Sequence, residues 1–372
     1  MYKIGLIINP VAGIGGRAGL KGSDGVEIQQ KALAAGFKSL APERVGLALE
    51  ALSEFRDEIE IITFPSEMGE DVARAAGFKT TVLGSIQSGK TTAEDTIRAA
   101  QDMMDAGVDL IVFAGGDGTA RNICTAVDDK VPTIGLPCGV KMHSSVYAIT
   151  PRRAGEVIKA FCDKEEKLLV DGEVMDLDEE AYRNEDVKAK LYGYLKVPEA
   201  GALMQKRKTG SGYSQDNQLK LLGMMFVDRM EEDVLYIIGP GSSTSHVMKD
   251  LGLQNSLLGV DLVANKKLVA NDVNEAQIWQ TMQKYPKTEI IATVIGGQGH
   301  LFGRGNQQLS PRIIREVGKG GIHILASKQK LADLYPNPFL VDTGDPELDA
   351  SLCGYIRVPQ SRTQDITFKI DR

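Results

Sequence analysis

Cysteine is scarce and unpaired in this chain. Only Cys124, Cys138, Cys162 and Cys353 occur. None forms a C-x-x-C pair and none has a histidine beside it at metal-ligand spacing. That argues against a disulfide framework and a zinc site, and leaves reduced, buried thiols as the reading. Histidine is equally thin. His143, His246, His300 and His323 are scattered; His323 lies in an apolar segment and reads as a packed core residue. No apolar run approaches the ~18 residues of a membrane span. The run Ile4 to Ile8 is too short for a signal-peptide core and ends in Asn9-Pro10, so it reads as a first strand. An excess of positive charge is also missing. The formal net charge is −7, which speaks against nucleic-acid binding through phosphates while allowing a local basic pocket. A cytoplasmic protein is expected, with no nucleic-acid or membrane partner and no metal-ligating side-chain set; a homo-oligomeric state is a further expectation.

At 372 residues the chain is long enough for two domains of roughly 150 residues each. Glycine is abundant, with 40 residues, many in clusters after apolar runs, where backbone approach to a ligand is the usual reason. Lys3-Ile8, Glu58-Phe64, Thr80-Leu83, Leu110-Ala114 and Pro132-Leu136 read as short buried strands. Arg44-Phe55, Thr91-Met104 and Ala120-Val127 read as helices between them. This alternation predicts an α/β fold, a doubly wound parallel sheet over residues 1–150 with ligands at the carboxyl ends of its strands. From about Pro151 the texture changes. A helix over Arg152-Phe161 leads into strand-like segments: Leu191-Val197, Lys220-Val227, Val234-Ile238, Glu289-Ile295 and Ile322-Ala326. A strand-rich second domain is expected over 151–335. Residues 336–372 form a C-terminal segment expected to pack back on the first domain. Asp171 and Asp176 read as acidic turn residues, and the charge run from Asp178 to Asp186 as a solvated stretch.

The strongest motif is Gly115-Gly116-Asp117-Gly118-Thr119, which ends a buried strand and opens a helix. Glycines let phosphates approach the backbone, and the N–H groups of a helix N-terminus favour anions. A carboxylate at this point can orient or deprotonate an attacking hydroxyl. The plain alternative is a tight turn with Asp117 near the helix cap. Three further segments accompany it: Asn9-Pro10-Val11-Ala12-Gly13, Gly135-Leu136-Pro137-Cys138-Gly139, and Gly239-Pro240-Gly241-Ser242-Ser243-Thr244.

These four segments resemble the ATP-NAD kinase superfamily, whose Gly-Gly-Asp-Gly-Thr signature is shared by NAD kinases and by diacylglycerol and sphingosine kinases. The resemblance runs over most of the chain and points to the branch called AcoX-like. It implies a nucleotide-dependent kinase using ATP and Mg²⁺, acting on a hydroxyl of NAD, of a related nucleotide or of a small polyol. It makes Asp117 the catalytic residue. Asn9, Gly115, Gly116, Gly118, Thr119, Asn122, Gly139, Lys141, Ser242, Ser243 and Thr244 would bind nucleotide in a cleft between the domains, with Lys141 or Arg121 as the cation. The sequence departs from typical NAD kinases in three places. The Asn-Glu pair that reads the acceptor is replaced by Asn122-Ile123, Lys141 stands in the third loop, and Gly296-Gln308 has no counterpart. That last stretch, with His300, Arg304 and Asn306, is either an anion-binding loop or a glycine-rich turn between two sheets. Arg304 and Asn306 are candidate substrate contacts.

Two other segments mimic nucleotide motifs. Gly84-Ser-Ile-Gln-Ser-Gly89-Lys90-Thr91 matches the P-loop pattern, but that reading leaves the other motifs unexplained. Thr91, Thr92, Glu94 and Asp95 are instead expected to open a helix at the ligand edge and touch substrate. Gly13-Ile-Gly15-Gly-Arg-Ala18 mimics a dinucleotide turn, yet no helical run follows and the acidic residue ~20 positions on is missing. Arg17 and Lys21 are left to meet phosphates. A non-catalytic nucleotide sensor and a P-loop ATPase are the competing functions. A lipid kinase is disfavoured by the lack of an anchor or basic amphipathic helix.

Overall fold

The structure is a computed structural model that describes residues 1–20, 31–139, 142–163, 167–177, 189–205 and 213–372. It divides into two compact units, Met1–Ile14 with Gly22–Arg207, and Gly15–Lys21 with Lys208–Arg372.

The first unit begins with β1 (Tyr2–Ile8); the short α1 (Ile14–Arg17) falls almost wholly in the second unit. α2 (Ala41–Glu50), β2 (Ile59–Thr63), α3 (Glu70–Ala75), β3 (Lys79–Val82) and α4 (Ala93–Asp105) follow. Then come β4 (Leu110–Gly115), α5 (Asp117–Val127), β5 (Thr133–Pro137), α6 (Pro151–Asp163), β6 (Leu169–Leu177) and β7 (Ala189–Pro198). β1 to β5 form a parallel sheet in the order β3-β2-β1-β4-β5. Alternation along the strands sends Ile4, Leu6 and Ile8 to one face, against Val45 and Ala48 of α2 and Val157 and Phe161 of α6. It sends Ile7, Ile111 and Phe113 to the other, against Ala99 and Met103 of α4 and Ala120 and Ile123 of α5. β4 is buried along its whole length, as a strand covered on both faces must be. Strand order reverses between β1 and β4, so the crevice beyond their carboxyl ends is the topological switch point.

The described part of the first unit continues past the expected boundary near residue 150. β6 and β7 pair antiparallel and contribute Val174, Leu195 and Val197 to the same core as α4 and α5. Asp171 and Asp176, expected in a turn, therefore lie within β6. The charge run 178–186 lies outside the described residues. Burial pushes the Cys162 thiol up to about 11, so it stays protonated.

The second unit runs α7 (Tyr213–Asp228), β8 (Val234–Ile238), α8 (Ser245–Asp250), β9 (Asp261–Ala264), β10 (Lys267–Ala270), α9 (Glu275–Met282) and β11 (Lys287–Ala292). It continues through β12 (His300–Phe302), α10 (Pro311–Val317), β13 (Ile322–Ile324), α11 (Lys328–Leu334), β14 (Phe339–Val341), α12 (Pro346–Leu352), β15 (Gly354–Pro359) and β16 (Asp365–Asp371). One sheet has the order β10-β9-β8-β11-β13 and a second the order β12-β14-β16-β15. Leu235, Ile237, Leu262 and Ile290 of the first and Phe302, Phe339, Val358 and Ile370 of the second share one core.

Three expectations change here. Lys220-Val227 is helical, not a strand. Leu219, Leu222, Met225 and Phe226 are the buried positions of α7, a helical spacing hidden by an uninterrupted apolar run. Residues 339–371, within the expected C-terminal segment, supply β14, β15 and β16 of the second unit's own sheet. His323 is half-buried, with its Nε2 2.9 Å from Glu289 Oε2, so it is a paired polar residue at the sheet's edge.

Candidate functional site

Three loops meet at the carboxyl ends of β1, β4 and β5. Asn9 follows β1; its backbone N–H donates to Ala114 O (2.9 Å), its Nδ2 donates to Thr119 Oγ1 (3.0 Å) and its Oδ1 accepts from Val11 N (3.2 Å). The first and central motifs are thus bonded to each other across 110 residues. Gly13 sits at φ +73°, where a Cβ would lie 2.2 Å from the Cys138 carbonyl oxygen. A Cβ on Gly115 would lie 2.3 Å from Thr119 Oγ1, and one on Gly139 only 2.8 Å from Gly116 Cα. These glycines were expected to make room for phosphate. Their first physical requirement is close packing: Gly13 and Gly139 lie against the backbone of a neighbouring loop, and Gly115 against the Thr119 side chain. What is left for an anion is the first turn of α5, whose N-cap Gly116 offers no side-chain acceptor; its N–H groups and the positive end of the helix dipole suit phosphate oxygens.

Asp117 stands at the carboxyl end of the central strand, 7% exposed, with both oxygens engaged. Oδ2 accepts from His143 N (2.7 Å) and lies 3.3 Å from His143 Nδ1. Oδ1 accepts from Ser144 N (3.1 Å) and from Ser144 Oγ (2.6 Å). Ser144 Oγ in turn accepts from Met175 N (2.9 Å), and Tyr147 Oη donates to Gly116 O (2.6 Å). The carboxylate therefore holds the loop after β5 against the loop after β4. Nothing in the sequence pattern singled out His143, Ser144 or Tyr147. Their proximity to Asp117 follows from the pairing of β4 with β5, which sets the two loops side by side.

Other residues singled out in the sequence fall in different places. Gly118 and Asn122 are half-buried on α5. Arg121 Nη1 is 2.9 Å from Asp176 Oδ2, so its charge is paired. Lys141 lies outside the described residues, as do Lys21 and the side chain of Arg17. The P-loop-like stretch does not wrap an anion. Gly89 N–H donates to Glu67 Oε1 (2.6 Å) and Ser88 Oγ to Glu67 Oε2 (2.9 Å). Two donors of the stretch are thus engaged by a carboxylate of the chain itself. Burial raises the Glu67 pKa, but these bonds outweigh it and hold the carboxyl below its usual range. Lys90 and Thr92 are exposed and Thr91 half-buried. Thr92 caps α4 in a reciprocal box with Asp95, and Asp95 also pairs with Arg98. Glu94 is exposed, and its own backbone N–H lowers its pKa, with Thr92 adding to the effect.

In the second unit, Gly239–Thr244 follows β8 and Gly296–Gln308 follows the adjacent parallel strand β11. Ser242 is exposed, while Ser243 and Thr244 are buried. Thr244 Oγ1 donates to Gly239 O (2.6 Å). Ser243 Oγ accepts from Lys330 Nζ (2.9 Å), which also reaches Thr293 Oγ1 and Val294 O (3.3 Å each). Lys330, on α11 beyond β13, thus ties the ends of three neighbouring parallel strands; no motif pointed to it. The stretch from Gly296 carries the chain from one sheet to the other and contains β12. Arg304 is 2% exposed. Asn306 spends its amide inside the loop, on Leu301 O (2.8 Å) and Gly303 N (3.2 Å).

A doubly wound sheet with a glycine–carboxylate turn at its switch point defines a nucleotide-type α/β protein. The comparisons narrow the class. The ATP-NAD kinase N-terminal domain model matches residues 4–166 and the ATP-NAD kinase C-terminal domain model residues 231–369. Together they span most of the chain, which belongs to the ATP-NAD kinase superfamily. No curated protein sequence matches significantly. Among solved structures, two of a "putative diacylglycerol kinase" from Bacillus anthracis are 18% and 19% identical over 30% of this chain, each with a TM-score of 0.21. The matched region spans only 40% and 43% of those chains. A protein of unknown function from Vibrio parahaemolyticus is 14% identical over 36% of this chain and 82% of its own, with a TM-score of 0.16. Likenesses at these scores carry no argument.

Proposed function

We propose that the protein is an ATP-dependent kinase that transfers the γ-phosphoryl group to a hydroxyl of NAD, of a related nucleotide or of a small polyol. The observation that carries this reading is the convergence of three superfamily motifs around Asp117 at the switch point of the sheet, with an uncapped helix N-terminus beside it. ATP fits that donor set, because the first-turn N–H groups of α5 hold phosphate without displacing a side chain. Mg²⁺ has no protein cage among the described residues, which hold no group of three His, Cys, Asp or Glu side chains suited to a metal ion. The protein's contribution is positioning and electrostatic stabilisation of the transferred group. Asp117 fixes the loop that borders the reacting centre. The AcoX-like branch is our finer reading, supported by the third loop, Gly139 to Ser145, which departs from typical NAD kinases.

Incubation with ATP and Mg²⁺ against NAD, NADH, nucleosides and small polyols, read by product mass, tests the proposal. A phosphorylated acceptor is expected. Binding of ATP with no product from any acceptor overturns it in favour of a non-catalytic nucleotide sensor. The saturation of both Asp117 oxygens by protein donors is the one feature that favours that second reading. Among the described residues no helix is long and apolar enough to cross a membrane.

A further inference from the structure

His143 has one ring nitrogen accounted for and one that is not. Nδ1 faces Asp117 Oδ2 at 3.3 Å. Nε2 is buried and has no hydrogen-bond partner among the described residues, in a residue only 7% exposed. An ionised carboxylate offers only acceptor lone pairs, so the contact suits an Nδ1–H tautomer, which presents an unshared pair at Nε2. A buried polar atom left unsatisfied costs about 1–3 kcal/mol, and native structures keep one chiefly where a ligand, water or reaction step uses it. The ring cannot drift off to relieve the cost. Its own backbone N–H is bonded to the same carboxylate oxygen at 2.7 Å, and Ser144 is tied twice to the other oxygen. Backbone and ring are both referenced to Asp117, which is how a carboxylate fixes the tautomer and direction of an imidazole.

We propose that His143 Nε2 takes the proton of the hydroxyl that is phosphorylated, and that Asp117 is its positioning carboxylate. This rests on the kinase reading above. The acceptor O–H bond breaks and its proton goes to Nε2. The freed oxygen pair forms a bond to the γ-phosphorus. The bond from that phosphorus to the bridging β–γ oxygen breaks, and its electron pair leaves with the nucleoside diphosphate. The imidazolium formed is balanced by Asp117, which stays ionised, and later returns the proton to solvent. Imidazole as a class suits this work near neutral pH, whereas hydrogen bonds donated to a carboxylate favour its charged form and weaken it as a base. Among the described residues, the other charged side chains on α5 and β6 are Arg121, Asp171, Glu173 and Asp176, with Arg121 and Asp176 paired.

The test is His143→Asn. The asparagine amide replaces the Nδ1–H donor toward Asp117 and leaves nothing at Nε2. Turnover is expected to fall ~10²–10⁴-fold, the usual worth of a general base, with KM for ATP and the melting temperature little changed. Added imidazole is expected to restore part of the activity of His143→Ala. Independently of turnover, ¹⁵N-histidine spectra of the wild-type protein are expected to show the Nδ1–H tautomer. Wild-type turnover in His143→Asn, or an Nε2–H tautomer, overturns the proton acceptor and leaves the kinase standing. A wild-type protein that phosphorylates no acceptor sinks the kinase reading and the proton acceptor with it.

Discussion

Replacing Asp117 with asparagine is expected to weaken folding of the first unit as well as turnover. The carboxylate accepts from two backbone N–H groups and one hydroxyl and faces an imidazole N–H, all in a buried setting. An asparagine oxygen placed toward Ser144 keeps its two donors. The amide NH₂ then points at the His143 N–H, and two donors face each other. The buried His143 N–H loses its acceptor, worth about 1–3 kcal/mol, and the remaining bonds lose their charge assistance, worth about 1 kcal/mol more. The sum is a destabilisation of ~2–4 kcal/mol. Urea unfolding followed by a probe in the first unit, compared with the wild type at the same pH, measures it. Stability within about 0.5 kcal/mol of wild type, the range of an inconsequential surface change, would show that the carboxylate does not anchor the loop after β5. The argument for His143 would lose its scaffold at the same time.

Lys90→Ala should leave nucleotide affinity by calorimetry unchanged, since Glu67 engages two donors of the P-loop-like stretch; a loss of binding would restore the P-loop ATPase. Gly135→Ala places a Cβ 2.3 Å from Tyr147 Cδ1 in a closed core and should cost ~1–3 kcal/mol by overpacking; an unchanged urea midpoint contradicts the packing described for β5. Burial lowers the pKa of His246 from the ordinary 6.5, with Lys249 adding to the effect and Asp216 opposing it. The unfolded chain then binds more protons than the folded one just below that value. The second unit's stability should be fully present above about pH 6.5 and decline as pH falls below it. A dependence that is no shallower in His246→Asn would assign the effect to other groups.

Sequence periodicity exposed most of the first unit because its strands are short, apolar and separated by turns, and because β1 to β5 follow one another with helices between. Lys220-Val227 misled for a physical reason. Gly223 and the run Leu221 to Val227 suit a buried strand, yet Gly223 is there because a Cβ would meet the His246 backbone at 2.8 Å. Asp117 was legible because strand, glycines and carboxylate are contiguous. His143 was not, since its partner lies 26 residues away and only the β4–β5 pairing brings them together. Lys330 is a more distant case, 87 residues from Ser243.

The interlocked glycines bear on how the motif is to be used in other members of this superfamily. Gly13 and Gly139 are demanded by the contact of one loop with another, and Gly115 by Thr119 within its own turn, whether or not anything is phosphorylated there. A descendant that had lost its chemistry would still need them to close the sheet's edge, so the sequence Gly-Gly-Asp-Gly-Thr certifies the architecture more securely than the reaction. A buried, unpartnered imidazole nitrogen gives the architecture nothing and costs it something. In a lineage released from catalysis it is the feature expected to decay first, which makes the position of His143 the better discriminator between working enzymes and retired ones.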